Sequence, residues 1–181
     1  MLEISSLKNH SIMKSIRLLS IFSLIIFLFA ACEKVEKEKP APFMDSFADV
    51  EECLSFPLLK GNQPDENQSC IFYEYDGDSV LEITHYNAGF NCCPEKILTS
   101  FELRNDTIFI VEDDSLELCR CNCLFNVEMT IHNLPPGKYV IKVTETYVQL
   151  EDQIFIFNID LEDILMDQIC KYRDFYPWSE L

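Results

Sequence analysis

Five of the nine cysteines lie between positions 92 and 123 and could carry chemistry. They are Cys92, Cys93, Cys119, Cys121 and Cys123. Closely spaced thiols can form disulfides, or bind a soft metal such as Cu(I) or Zn(II) as thiolates. The chain has Cys-x-Cys-x-Cys but no Cys-x-x-Cys, which argues against paired zinc knuckles and a thioredoxin-like motif. Disulfides are therefore the favoured prediction, with a metal site or free buried thiols as alternatives.

His85 precedes this group of cysteines and could add an imidazole ligand to a copper or zinc site. A single histidine also fits a packed, hydrogen-bonded side chain, and both interpretations stay open. A Cys–His nucleophile would need a thiol of lowered pKa beside the imidazole, and no such signature surrounds any cysteine. We therefore expect a protein that is not an enzyme and has no cofactor, unless copper or zinc occupies the cysteines.

A predicted strand positions three of these thiols, Cys119, Cys121 and Cys123. Alternate strand residues share a face. The odd-numbered positions that follow are apolar: Phe125, Val127, Met129 and Ile131. The three thiols are therefore predicted to continue a buried stripe. Such neighbours are about 6.6 Å apart, whereas a disulfide needs Cβ atoms about 3.8 Å apart. Each thiol then needs a partner elsewhere, and Cys92 and Cys93 are the first candidates.

Three further cysteines, Cys53, Cys70 and Cys170, are also disulfide candidates. Cys53 could pair with Cys70 and close the loop between them, and Cys170 could pair with one of the three thiols on the predicted strand. An even number of cysteines, once Cys32 is set aside, is typical of exported proteins. The connectivity does not follow from the sequence, because eight cysteines allow many pairings.

The N-terminal segment has the pattern of an export signal. Two basic residues, Lys14 and Arg17, precede an apolar run over 18–31 that ends in two alanines. A basic region, a short apolar region and small residues at the cleavage site are typical of a signal peptide. The run is shorter than the roughly 20 residues that a membrane-spanning helix needs. Residues 1–31 are predicted to be this signal, with Met13 as a possible true start.

The residues before Cys32 resemble the lipobox of bacterial lipoproteins. The segment is Leu28-Phe29-Ala30-Ala31-Cys32, with Phe29 where an aliphatic residue is usual. The resemblance implies cleavage before Cys32 and lipidation of its thiol, for example by palmitate. The protein would then be anchored in the cell membrane or outer membrane and face the periplasm or the exterior. Residues 32–42 would be the lipidated cysteine and a charged tether.

The charge of the chain limits its partners. It has 14 Lys and Arg against 31 Asp and Glu, a formal net charge of −17. Such a surface repels phosphate backbones, so nucleic acid is excluded as a partner. Contact with a membrane is expected through the lipid anchor, and a protein or glycan partner is possible.

Residues 43–181 have the pattern of an all-β domain. Turn residues at 76–78, 104–106 and 133–138 separate apolar runs, which predicts three hairpins. One or two further strands follow the third hairpin, and no long amphipathic helix is indicated. The predicted fold is a single antiparallel β-sandwich of about seven to eight strands.

Residues 133–141 resemble a hairpin of immunoglobulin-like and transthyretin-like bacterial surface domains. The pattern is Leu-x-Pro-Gly-x-Tyr, carried by Leu134, Pro136, Gly137 and Tyr139. The resemblance implies an immunoglobulin-like sandwich. The predicted function is a binding or structural role in a lipid-anchored cell-envelope protein with a disulfide-stapled domain. The alternative is an envelope lipoprotein that binds copper or zinc through thiolates.

Overall fold

The computed structural model describes residues 39–48, 64–114, 119–148 and 150–174. These residues contain nine strands and no helix, which confirms the all-β prediction. The strands are β1 (Phe43–Ala48), β2 (Gln68–Tyr75), β3 (Leu81–Asn91), β4 (Leu98–Arg104), β5 (Thr107–Asp113), β6 (Asn122–His132), β7 (Lys138–Glu145), β8 (Phe155–Asp160) and β9 (Met166–Tyr172).

All nine strands belong to one compact unit, Pro40–Leu181. Cys32 and Cys53 lie outside the described residues, as does the predicted signal over 1–31. Within the part of the chain that is described, no helical segment has the length and hydropathy needed to cross a bilayer.

The strands form two sheets with the orders β1-β6-β3-β2-β9 and β4-β5-β7-β8. Every pair is antiparallel except β5 and β7, which run parallel in the middle of the second sheet. The prediction of a wholly antiparallel fold is therefore wrong at this pair. The strand count also exceeds the predicted seven to eight or so. The added strand is β1, an edge strand whose mostly exposed residues show no apolar alternation.

Two of the predicted hairpins are confirmed, β2–β3 and β4–β5. In the first turn, Asp76 Oδ1 accepts hydrogen bonds from the backbone N–H groups of residues 78, 79 and 80, at 2.8 Å, 2.8 Å and 3.0 Å. Gly77 has a φ of 84° in this turn, a conformation that suits glycine. Asn105 has a φ of 56° in the second turn, where asparagine tolerates the left-handed region.

The third predicted hairpin is wrong, because β6 and β7 lie in different sheets. The segment 133–138 crosses between the sheets and is anchored by the buried Leu134. The Leu134 N–H donates to Ser79 O at 3.0 Å, and the Tyr75 hydroxyl donates to Leu134 O at 3.0 Å. The proline-rich segment therefore connects two sheets instead of closing a hairpin.

One hydrophobic cluster draws side chains from both sheets. Alternate residues of β6 are buried as predicted: Phe125, Val127, Met129 and Ile131. The largest fully buried side chains include Tyr73, Phe90 and Phe155. Burying each large apolar side chain contributes about 1.5–3 kcal/mol, so this cluster supplies the main stabilisation of the fold.

Candidate functional site

On each of three strands, two buried apolar residues at alternate positions are followed by a buried titratable side chain. The stripes are Ile108-Ile110-Glu112 on β5, Ile141-Val143-Glu145 on β7 and Leu81-Ile83-His85 on β3. Parallel pairing sets Glu112 directly beside Glu145. His85 approaches these carboxylates from the other sheet. Neither glutamate was predicted as a site residue, although an acid that continues an apolar period-two stripe is a recognisable signal.

Five side chains form what we call the buried charge network: Ser69, His85, Glu112, Glu145 and Arg173. His85 Nδ1 lies 2.8 Å from Glu112 Oε2, and His85 Nε2 lies 2.8 Å from Ser69 Oγ. Arg173 Nη2 donates to Glu145 Oε1 at 2.8 Å. All five residues are buried. The network therefore connects β2, β3 and the end of β9 in one sheet with β5 and β7 in the other.

The ionisation of this network follows from burial and from its own charges. Burial acts to lower the pKa of His85, but Glu112 and Glu145 outweigh it and the pKa of His85 is raised. Burial raises the pKa of Glu145 and lowers the pKa of Arg173, with their ion pair opposing both shifts. With His85 protonated, two cations face two carboxylates and the network is electrically neutral.

The hydrogen-bond order from Ser69 through His85 to Glu112 is that of a Ser–His–acid triad. Ser69 is 0% exposed, however, so a substrate cannot reach its hydroxyl. His85, Glu112 and Glu145 also offer ligand atoms within 4.8 Å of one another. A metal ion there would have to displace the contact of one imidazole nitrogen, either Nδ1 with Glu112 or Nε2 with Ser69. The arrangement is therefore suited to holding the two sheets together.

A second group, which we call the sulfur cluster, consists of Cys92, Cys93, Cys119 and Cys121. The structure pairs Cys92 with Cys121 and Cys93 with Cys119. Cys119 Sγ also lies 3.4 Å from Cys92 Sγ and 3.3 Å from Cys121 Sγ. Cys93 and Cys121 are exposed, and the other two are half-buried. The cluster therefore joins the segment after β3 to the segment before β6.

Cys119 and Cys121 do not share the buried face of β6 as predicted. The strand begins at Asn122, so both cysteines precede it in a loop. This loop folds against the end of β3, where the Cys92 N–H donates to Cys121 O at 3.1 Å. Cys123 alone of the three is buried on the strand, and it is also disulfide-bonded.

Asn91 holds the two cysteine-bearing loops side by side. Its Oδ1 accepts from the N–H groups of Cys93 at 3.1 Å and of Cys119 at 3.0 Å. Its Nδ2 donates to Cys119 O at 2.7 Å, and its own N–H donates to Asp114 Oδ2. The loops are therefore aligned by hydrogen bonds as well as by disulfide bonds. Sequence reasoning missed Asn91, whose position directly before Cys92 was the available signal.

Cys70 pairs with Cys170, with their Cα atoms 4.0 Å apart. The two residues are directly opposite on the antiparallel strands β2 and β9. This pairing replaces two others considered from the sequence, Cys53 with Cys70 and Cys170 with one of the thiols near β6. His85 lies with the carboxylates and not with the sulfur cluster, so the two candidate ligand groups of the described residues are separate.

Comparison with known proteins gives no family for this chain. No family model, no curated protein and no solved structure matches it. The buried charge network, the sulfur cluster and the sequence pattern are therefore the grounds for a functional proposal.

Proposed function

We propose that the protein is a lipid-anchored cell-envelope protein with a disulfide-stapled domain in a binding or structural role. The observation that carries this proposal is the pairing of six cysteines across strands and loops. Such bridges persist in oxidising compartments, which agrees with the signal-like segment that ends at Cys32. Each bridge contributes roughly 2–4 kcal/mol to the stability of a domain.

A non-catalytic role is supported by what the polar clusters do. The Ser69 hydroxyl is sealed inside the buried charge network, and Asn91 uses its side chain to align loops. Both clusters connect separate parts of the chain, and neither presents an exposed nucleophile with a positioned base. The domain is therefore a scaffold, and its function depends on surfaces around it.

We further propose that the two sheets form an immunoglobulin-like sandwich. Side chains of both sheets share one hydrophobic cluster. The Tyr139 hydroxyl also donates to Pro135 O at 2.8 Å, where the chain enters β7 after crossing between the sheets. A tyrosine that bonds to the backbone a few residues upstream is the corner found in many immunoglobulin-like domains. The parallel β5–β7 pair makes this sandwich a variant of that architecture.

The alternative function is thiolate metal binding, and one observation favours it. The sulfur cluster offers four sulfur atoms within 4.8 Å of one another. Four converging thiolates suit Zn(II) or Cu(I). In this alternative the four cysteines are reduced, and Asn91 aligns their loops without a covalent bond. Neither His85 nor Cys123 belongs to the group.

Peptide mapping of protein purified from the cell envelope without reductant separates the two functions. For the disulfide-stapled domain, we expect the sulfur cluster to be protected from alkylation before reduction and to carry no stoichiometric metal. If its four cysteines are all alkylated after chelation, and about one equivalent of Zn(II) binds with release of acid, metal binding replaces the first proposal.

The anchor is tested separately by Cys32→Ala, with Lys34→Ala in the tether as the control. We expect Cys32→Ala to leave the membrane fraction or to accumulate as an uncleaved precursor, while Lys34→Ala fractionates like the wild type. Identical fractionation of Cys32→Ala and wild type contradicts lipid anchoring.

A further inference from the structure

A cavity of about 380 Å³ opens between residues of both sheets, away from the buried charge network and the sulfur cluster. Tyr73 of β2 and Asp167 of β9 line it from the first sheet. Tyr139 of β7 and Asp106 of the β4–β5 turn line it from the second. Small-molecule sites commonly have volumes of roughly 300–1,000 Å³, so this cavity is large enough for a small organic ligand.

The cavity carries excess negative charge. Lys138 Nζ lies 2.8 Å from Asp160 Oδ2, so these two opposite charges neutralise each other. Asp106 and Asp167 take part in none of the ion pairs of the described residues. Two carboxylates, one from each sheet, are therefore left without a cation at the cavity.

The hydroxyl of a mostly buried tyrosine also faces this space. Tyr73 is 2% exposed and lines the cavity, and its hydroxyl makes no hydrogen bond to any described residue. Burial raises the pKa of Tyr73, and the charges of Asp167 and Asp160 raise it further. Asp167 is therefore near the Tyr73 hydroxyl, which remains available to a ligand.

We propose that this cavity binds a short aliphatic diamine, with its ammonium groups at Asp106 and Asp167. The Tyr73 hydroxyl accepts a hydrogen bond from an ammonium group, and the ring of Tyr139 offers a cation–π face. Val140, Ile159 and Ile164 supply apolar surface for the methylene chain. This proposal depends neither on the lipid anchor nor on the oxidation state of the cysteines.

A metal ion is a poorer match for the same carboxylates. Two groups of described residues bring His, Cys, Asp or Glu ligand atoms within 4.8 Å of one another, and neither includes an aspartate of the cavity. A divalent ion needs several oxygen ligands around one point. Two carboxylates contributed by different sheets, in a cavity that apolar side chains also line, instead suit a molecule with charge at both ends.

Titration of the purified protein with cadaverine, followed by backbone amide chemical shifts, tests the proposal. We expect saturable shifts at the cavity, and weaker binding of pentylamine, which has one ammonium group. Asp167→Asn should raise the Kd for cadaverine about tenfold, the effect of losing one charged contact. Glu128→Gln removes one charge on the outward side of β6 and should leave the Kd unchanged.

Tyr73→Phe removes only the unpartnered hydroxyl, so it should keep the wild-type spectrum of the fold and weaken cadaverine binding. Pentanediol is the neutral counterpart of the diamine. Equal binding of pentanediol and cadaverine, displacement of cadaverine by Ca²⁺ at equal concentration, or equal effects of Asp167→Asn and Glu128→Gln would each overturn the proposal. An absence of saturable cadaverine shifts would overturn it as well.

Discussion

Loss of the buried ion pair between Arg173 and Glu145 is expected to lower the free energy of unfolding by a large amount. Its side chains are 2% and 1% exposed, and the charged atoms are 2.8 Å apart. Arg173→Met keeps much of the side-chain volume but leaves the Glu145 carboxylate buried beside Glu112. Removing one partner of a buried pair costs about 3–5 kcal/mol. That is a large fraction of the 5–15 kcal/mol or so that stabilises a typical domain.

A second substitution identifies the cause of this loss. Glu145→Gln in the Arg173→Met background removes the unpaired charge and keeps a polar side chain. We expect the double variant to be about 2 kcal/mol more stable than Arg173→Met alone, because no uncompensated carboxylate stays buried. If the loss came only from packing of the arginine side chain, the second substitution would restore nothing.

Guanidinium chloride unfolding at neutral pH, without reductant, measures these free energies. The matched control is Arg104→Met, because Arg104 pairs with Glu102 at the surface with 65% and 54% exposure. An exposed pair contributes about 0–1 kcal/mol. A loss in Arg173→Met that is no larger than the loss in Arg104→Met would refute the reasoning.

The remaining predictions concern pH and covalent stapling. The raised pKa of His85 stabilises the fold below about pH 6.5. This contribution is lost as pH rises through the raised pKa of His85. The raised pKa of Glu145 likewise makes the free energy of unfolding fall as pH rises. His85→Gln should reduce the slope of the free energy of unfolding against pH, measured by unfolding at several pH values. For one proton this slope is at most about 1.4 kcal/mol per pH unit. Replacing Cys70 and Cys170 together by serine should cost roughly 2–5 kcal/mol in the same assay, whereas an unchanged midpoint would mean that the bridge is not formed. Asn91→Ala should lower the yield of native pairing after reduction and reoxidation, measured by peptide mapping, and a wild-type yield would contradict its aligning role.

Apolar alternation and turn residues in the sequence predicted where the strands lie better than they predicted which strands pair. The alternation after Cys123 identified the buried face of β6, and the turn at Gly77 identified the β2–β3 hairpin. The segment 133–138 was misassigned because a turn between two apolar runs has the same local pattern in a hairpin and in a crossing between sheets. Leu134 distinguishes the two by its burial, which depends on the whole fold.

The candidate site was predictable only in part, for a similar reason. His85 and the cysteines were identifiable by residue type, and Glu112 and Glu145 continue visible apolar stripes. Arg173 was not identifiable, because its partner Glu145 is distant in sequence and lies in the other sheet.

β9 is the last strand of the described residues, and its contacts are needed to complete the fold. This strand covers the edge of β2, carries Cys170 and is followed directly by Arg173. A nascent or truncated chain that stops before Met166 would expose a row of unpaired backbone groups, a free thiol and a buried carboxylate without its cation. Strand pairing over 100 residues of separation is intrinsically slow. The domain can therefore complete its fold only once β9 and Arg173 have been synthesised.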